Sequence, residues 1–489
     1  MTISPRHLLP AALLLLAAPA LRAQAATADS LWAAGEYAAA RGAYERALHD
    51  NPGWVRGLFR LGILAAWDGR LDSALALLRD AREMEPAEPD VRAWEAKVLA
   101  WQGRYRDATV RYDSLLAERP DHREARFGRA QAYAWWGRHA EADREFRAMV
   151  AADPGDAEAL VALAQLRQWQ GRPDEASHYA ALALAVAPED RAARDLQRQA
   201  RALSRPRVEV VLGFGHDSDD NNTAWQTVTT SLVVADGLRG FAGVGALEAS
   251  DPVQDGTRVH GEVGATWWRG NLSLTGAVGA RRLRSDFGLD RSVATARAAL
   301  GLRVSPTAGV GVGYARYSFD ETAALIGGDI DINDLSADGD VELTRSLSLG
   351  VGGGIGWLSD DNRRVSAVVA LTQRVAPRLT VGVYGRSLSY RAKGTGYFSP
   401  DRFLVAEGRA AWTWAVARWE TRLSGGLGVQ QVGHGGAAQA EGHLEARVAR
   451  RWATINEVGL GLGYSHSAIS STTGAFDYYT LVLNLRLGL

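Results

Sequence analysis

The sequence of 489 residues contains no cysteine, which excludes a disulfide framework and any thiolate metal or redox centre. Charge of one sign is lacking too, because 55 basic and 56 acidic side chains leave a formal net charge of -1. A nucleic-acid partner needs a basic face and is therefore not expected. Past the N-terminal segment there is no run of about 18 or more apolar residues, so no membrane-spanning helix is expected. No phosphate-cradling glycine loop and no activated-nucleophile motif occur, and the expectation is a protein without enzymatic activity, cofactor or resident metal.

What is present divides the chain. Its length exceeds a single ordinary core and calls for at least two domains. Arg6 and His7 precede an apolar run from Leu8 to Leu21, and small residues at Ala23 to Ala25 offer a cleavage site. Residues 1–25 therefore read as a secretory signal, and the mature chain is expected to leave the cytoplasm.

Residues 26–188 repeat with a period of 34. Gly35, Gly69, Gly103, Gly137 and Gly171 share that spacing, as do Ala40, Ala74, Ala108, Ala142 and Ala176, and Pro52, Pro86, Pro120, Pro154 and Pro188. This is the tetratricopeptide period. Each glycine permits a tight turn between two antiparallel helices, each alanine lets the helices cross closely, and each proline ends the second helix. Five units are expected. Residues 189–205 form a charged capping helix with a thin apolar stripe at Leu196, Ala200 and Leu203, and a linker.

A Trp-x-Gly-Arg refrain marks the ends of the first helices. Trp67, Trp101, Trp135 and Trp169 stand two residues before the glycine, and Arg70, Arg104, Arg138 and Arg172 follow it. Two readings stand side by side. In one the indoles pack between neighbouring repeats, as large aromatics commonly do. In the other they form a ladder about 10 Å apart, the width of a helix, on which sugar rings stack while the guanidiniums bond hydroxyls or carboxylates.

From residue 206 to 489 the helical period gives way to alternation. In "YYTLVLNLRLGL" Tyr479, Leu481, Leu483, Leu485, Leu487 and Leu489 fall on one face and Thr480, Asn484 and Arg486 on the other. Apolar residues outward and polar residues inward are the pattern of a transmembrane β-barrel. About sixteen antiparallel strands are expected, near 207–217, 223–234, 238–248, 257–268, 271–284, 291–304, 307–319, 333–344, 347–358, 363–375, 378–391, 402–414, 419–432, 438–450, 454–466 and 476–489. Tight turns such as "RG" at 269 alternate with longer connections such as "DETAALIGGDIDI" at 320, which places both barrel termini at the short-turn end. Trp267, Trp412, Trp414, Trp419 and Trp452 group near that end, and Tyr314, Trp357, Tyr464 and Tyr479 near the other, as two aromatic belts.

The pleat points a balanced set of charges into the lumen. The candidate pore-lining residues are Arg258, Arg281, Arg297, Arg303, Arg386, Arg409, Arg422, Arg447 and Arg486 with Glu262, Asp338, Asp340, Glu342, Glu407, Glu420, Glu441, Glu445 and Glu457. A channel for a strongly charged polymer shows one sign, so a neutral or weakly charged cargo is the simplest expectation. Mutual bracing of the wall explains the same charges equally well. The "SDDN" stretches at Ser218–Asn221 and Ser359–Asn362 read as acceptor-rich turns, since they lack full calcium-loop spacing.

A secreted tetratricopeptide array followed by such a barrel resembles the outer-membrane exporters of bacterial cellulose and poly-N-acetylglucosamine. The barrel half, opening on "VEVVLGFGHDSDDNN", looks like the YaiO-type outer-membrane barrel family. The resemblance implies a location in the bacterial outer membrane with the repeats in the periplasm. It further implies partners in outer-membrane lipid, the barrel assembly machinery, and periplasmic proteins or a glycan polymer held in the repeat groove. Two functions follow: an exopolysaccharide export pore, or a non-conducting anchor presenting a protein-binding scaffold.

Overall fold

A computed structural model describes residues 24–305, 307–344, 346–467 and 477–489. Most of the expected signal segment, Pro306 of one tight turn and most of the loop after residue 467 lie outside the described residues. The chain divides into two compact units, one ending at Leu163 and the other beginning at Ala164.

The first unit is helical. After α1 (residues 24–33) come α2 (Tyr37–Asp50), α3 (Val55–Trp67), α4 (Leu71–Met84), α5 (Pro89–Trp101), α6 (Tyr105–Glu118), α7 (Arg123–Trp135), α8 (His139–Ala152) and the start of α9 (Ala157–Trp169). The expected roles of the repeating residues are met. Gly35, Gly69, Gly103 and Gly137 have φ between 76° and 81° in the turns, a conformation that a Cβ disfavours. Ala40, Ala74, Ala108 and Ala142 are fully buried where helices cross. Pro52, Pro86, Pro120 and Pro154 sit in the links between repeats. Between these crossings Leu75, Leu78, Leu99, Tyr112 and Leu115 build one continuous core.

The second unit completes α9 and adds α10 (Pro173–Val186) and α11 (Arg191–Ser204), where the Asp190 carboxylate caps α11 by accepting from the Ala193 N–H at 2.8 Å. Ala193, Leu196 and Ala200 are its buried stripe. None of the described helices is long and apolar enough to cross a membrane.

Sixteen antiparallel strands then close into a barrel: β1 (Arg207–Asp217), β2 (Asn222–Ala235), β3 (Leu238–Ser250), β4 (Asp255–Arg269), β5 (Leu272–Ser285), β6 (Asp290–Ser305), β7 (Ala308–Ser318), β8 (Asp331–Glu342), β9 (Leu347–Leu358), β10 (Arg363–Ala376), β11 (Leu379–Tyr390), β12 (Phe403–Val416), β13 (Trp419–Val432), β14 (Gln439–Arg451), β15 (Glu457–His466) and β16 (Asp477–Gly488). The expected strand count holds, and no strand end lies more than three residues from its expected place. Closure is complete: β1 pairs with β16 from Arg207↔Gly488 to Asp217↔Tyr478, which leaves no unpaired edge.

Local chemistry explains the short-turn end. Register shifts occur at Val233/Ala235, Arg303/Ser305 and Arg374/Ala376, each beside a tight turn. Gly237 and Gly270 reach φ of 68° and 59° there, as tight hairpins require. The pleat is inside-out relative to a soluble sheet. Val244, Val263, Val278, Val312, Val383, Leu427 and Leu462 are exposed on the outer face. Trp412, Trp414, Trp419 and Trp452 flank them at one end and Tyr314, Trp357, Tyr464 and Tyr479 at the other. A continuous aliphatic belt between two aromatic rims is a surface that hydrocarbon, and not water, satisfies.

Candidate functional site

Two arrangements carry the candidate residues. In the first unit, Trp67, Trp101 and Trp135 are the last residues of α3, α5 and α7. Other aromatic rings join the first two of them. Trp67, 48% exposed, stacks on Trp32 with centroids 5.6 Å apart and planes at 20°. Trp94 fills the interval beyond, 6.4 Å from Trp67 and 6.2 Å from Trp101, edge-on to both. Cations cover this row: the Arg60 guanidinium lies 4.2 Å from the Trp32 ring centre and the Lys97 ammonium 4.6 Å from that of Trp94, geometries in the cation–π range. Burial holds the Lys97 ammonium below the usual lysine range. Trp101 and Trp135 also rest against the core. In the second unit, Trp169 ends α9 and is 48% exposed.

The refrain arginines have a local explanation. Arg104 donates to Asp107 at 2.8 Å, Arg138 bonds Glu141 and Arg172 bonds Glu175, each three residues on in the first turn of the next helix. Arg70 bonds Asp68 at 3.0 Å. Arg172 also reaches Asp236 of the β2–β3 turn at 3.2 Å, within the second unit. The sequence reading missed Trp32, Trp94, Arg60 and Lys97, because none of them stands on the 34-residue phase of the refrain.

The second arrangement is the barrel lumen. Many inward charges are neutralised across the wall. Arg297 bonds Glu262 at 2.9 Å, Arg303 bonds Asp340 at 2.7 Å, and Arg486 bonds Glu209 at 3.1 Å. Arg409 pairs with Glu407, whose other oxygen lies 3.0 Å from His443. Arg447 and Arg451 share Glu457, and Arg451 also reaches Glu420 at 3.3 Å. The Ser424 hydroxyl donates to Glu445 at 3.3 Å. Asp338, Glu342, Arg386 and Arg422 have no ion pair among the described residues.

Arg258 and Arg281 do something else. Both reach 2.7 Å to Asp320, which is 1% exposed and lies on no strand. Asp320 belongs to the β7–β8 connection, read from sequence as a long loop. It folds inward and carries a short helix, α12 (Ala323–Gly328), whose Thr322 hydroxyl accepts from the Leu325 N–H. Ala323 and Ile326 pack with the inward Leu247, Ala249, Leu283 and Val293 of β3, β5 and β6. Phe319, Leu325 and Ile330 join a cluster with Leu358, Leu388, Tyr390, Phe403 and Val405 of β9, β11 and β12. Strands β4 and β11 stand seven places apart in the ring of sixteen, so residues 319–330 form a strap across the bore at the long-loop end.

Two recesses share Arg386. One, of about 400 Å³, is lined by Tyr384, Arg386, Glu407, Arg409, Glu441 and His443 among others. The other, of about 280 Å³, lies between the strap and β10–β11. The "SDDN" stretches are hairpin turns in which Asp220 and Asp361 take φ of 60° and 62°. Tyr397, from the β11–β12 connection, donates at 2.7 Å to Asp360; burial, and then that carboxylate, push its hydroxyl above the usual phenol range. No group of three potential metal ligands occurs among the described residues.

Comparison with known proteins agrees with this division. The tetratricopeptide repeat family matches residues 31–98, 65–132 and 136–200. A solved structure described as a bacterial polysaccharide outer membrane secretin is similar over 58% of this chain and 99% of its own, with a TM-score of 0.50 and 17% identity. CdiB from Acinetobacter baumannii is similar over 58% of this chain and 60% of its own, with a TM-score of 0.40 and 9% identity. A repeat protein from Thermus thermophilus, TTC0263, covers 37% of this chain and 98% of its own, with a TM-score of 0.33 and 24% identity. No curated protein matches in sequence. The chain therefore joins a tetratricopeptide-repeat array to a closed sixteen-strand barrel, whose fold is similar to that of the polysaccharide secretin.

Proposed function

We propose that this protein is an outer-membrane pore taking part in the export of a neutral or weakly charged exopolysaccharide. The observation that carries the reading is the closed ring of sixteen strands with an aliphatic belt outside and a polar, charge-balanced wall inside. A barrel of that size is wide enough to hold water where side chains and loops leave it open. Short turns on the periplasmic side are the rule for such barrels. Both barrel termini lie at the short-turn end, where the Leu489 N–H donates to the Pro206 carbonyl at 2.9 Å. The repeats then lie in the periplasm, where the Trp32–Trp67–Trp94–Trp101 row guides polymer or synthase partners toward the barrel. Replacing Trp67 and Trp101 together by alanine is expected to abolish glycan binding by the repeats; unchanged binding rejects that part.

One observation favours a second reading, a non-conducting anchor for the repeat scaffold: the strap spans the bore. Single-channel recording of the full chain in planar bilayers separates the two. The pore reading expects conductance that rises when Asp320→Ala releases the strap. Persistent closure of wild type and variant alike supports the anchor.

A further inference from the structure

The recess between the strap and β10–β11 is built differently from the rest of the lumen. Tyr317, Phe319, Tyr390, Tyr397 and Phe398 contribute to its lining, together with Arg364 and Arg386. The rings hold one another at angles: Phe319 meets Tyr397 edge-on at 5.7 Å, and Tyr390 lies 5.7 Å from Tyr397. Arg364 is fixed by bonds of 2.8 Å to Asp334 and 3.1 Å to the Tyr317 hydroxyl, so its charge is matched. Arg386 differs. Its neighbours on the wall, Arg364 and Arg409, pair with Asp334 and Glu407, whereas Arg386 has no carboxylate partner among the described residues. It lines both this recess and the larger one that holds Glu407 and Glu441.

We infer that this recess is a binding subsite for a neutral hexopyranose unit of a glycan chain, held by ring stacking and by Arg386. A pyranose presents a C–H face that an aromatic ring covers, and equatorial hydroxyls that guanidinium N–H groups and carboxylate oxygens bond. The volume, near the low end of the ~300–1,000 Å³ of ordinary ligand pockets, suits one or two rings and not a globular partner. Charge selects the class. Arg364 is neutralised by Asp334, Glu321 also faces the recess, and the adjoining recess holds Glu441 and Glu445 beside Glu407, which Arg409 already pairs. A uronic-acid chain leaving Arg386 would meet those carboxylates, whereas a neutral chain runs from aromatic faces to hydroxyl-accepting oxygens without repulsion. The strap is part of the site, since Phe319 and Leu325 form one side of it. The segment that narrows the bore thereby also grips what enters it.

This subsite rests on the export reading, and its test is separate from conductance. The full chain in detergent is titrated calorimetrically with cello-, malto- and chito-oligosaccharides as neutral probes and with oligogalacturonate as the acidic one. At least one neutral series is expected to bind, with oligogalacturonate weaker. Tyr390→Ala and Arg386→Gln are each expected to weaken that binding about tenfold or more, while Tyr390→Phe, which keeps the ring, retains it. Heat-modifiable migration on gels confirms that each variant barrel is folded. Absence of binding by every neutral probe, tighter binding of oligogalacturonate, or affinities unmoved by both substitutions overturns the subsite. Conductance without binding leaves the pore reading intact, and binding without conductance removes the pore reading alone.

Discussion

The repeats and the barrel solve opposite solvent problems with the same residues. In the repeats, alanine and leucine are buried and most charge faces water, Glu95, Asp156 and Arg167 being buried in ion pairs. In the barrel, valine and leucine are exposed while arginine and glutamate turn inward and pair. Equal exposure therefore means different things in the two halves. Val110 on α6 is 59% exposed and Leu462 on β15 is 56% exposed, yet the first meets water and the second, on this reading, meets lipid. The difference teaches that a residue's accessible area has no fixed energetic sign until its solvent is known.

The inward half of that contrast gives the largest expected effect. Asp320→Ala leaves Arg258 and Arg281 facing each other without their shared acceptor. Removing one partner of a buried ion pair costs about 3–5 kcal/mol, so the strap is expected to detach from β4 and β5. Protease accessibility of residues 319–330 in the folded barrel measures this. A strap as protected as in the wild type would mean that Ile326 and Phe319 hold it without the ion pairs.

The outward half is next. Val263→Arg, on β4 at 57% exposure, places a charge near the middle of the aliphatic belt and is expected to destabilise the barrel by about 2–4 kcal/mol in lipid. Val110→Arg, at nearly the same exposure, is expected to stay within about 0.5 kcal/mol. Urea unfolding of the full chain reconstituted in vesicles, followed separately by the helical and strand signals, compares them. Equal responses would show that the belt is not a lipid-facing surface.

A smaller effect sharpens the comparison at the turns. Gly237 and Gly270 supply positive φ in their tight hairpins, but Ala417 takes φ of 53° in the β12–β13 turn. A left-handed residue with a Cβ is strained by roughly 1–2 kcal/mol, so Ala417→Gly is expected to stabilise the barrel by up to about 1 kcal/mol after glycine's entropic cost. A lower unfolding midpoint in urea would contradict that.

Much of the fold was legible because both periods are short-range consequences of backbone geometry. A repeat of 34 residues in three separate residue types identifies the solenoid, and alternation at period 2 placed strand ends as close as β13 at 419–432. The strap was not legible in the same way. Its apolar Ala323, Leu325 and Ile326 stand in what reads as an outer connection, and only closure of the ring brings β5 and β11 within reach of one loop. Sign balance in the lumen was visible in the sequence, but that Arg258 and Arg281 serve one carboxylate, and that Arg386 serves none, depends on contacts across dozens of residues. Trp94 escaped notice for a related reason: it joins the aromatic row by a rotation around α5, not by the refrain's phase.

The helical unit offers the gentlest test, because its response to acid is expected to differ from that of the paired barrel wall. His139 opens α8, and burial pushes its imidazole below the ordinary value of 6.5. Its Nδ1 is buried without a hydrogen-bond partner, and the N-terminal end of the helix dipole also disfavours an imidazolium there. A group whose folded pKa is depressed makes its contribution in full above the unfolded value and loses it as pH falls toward the folded one. The helical transition of the full chain is therefore expected to move to lower temperature as pH drops below about 6.5, while His139→Gln, which cannot acquire charge, flattens that dependence. If the variant kept the wild-type slope, the acid sensitivity of the repeats would have to lie in groups other than this imidazole.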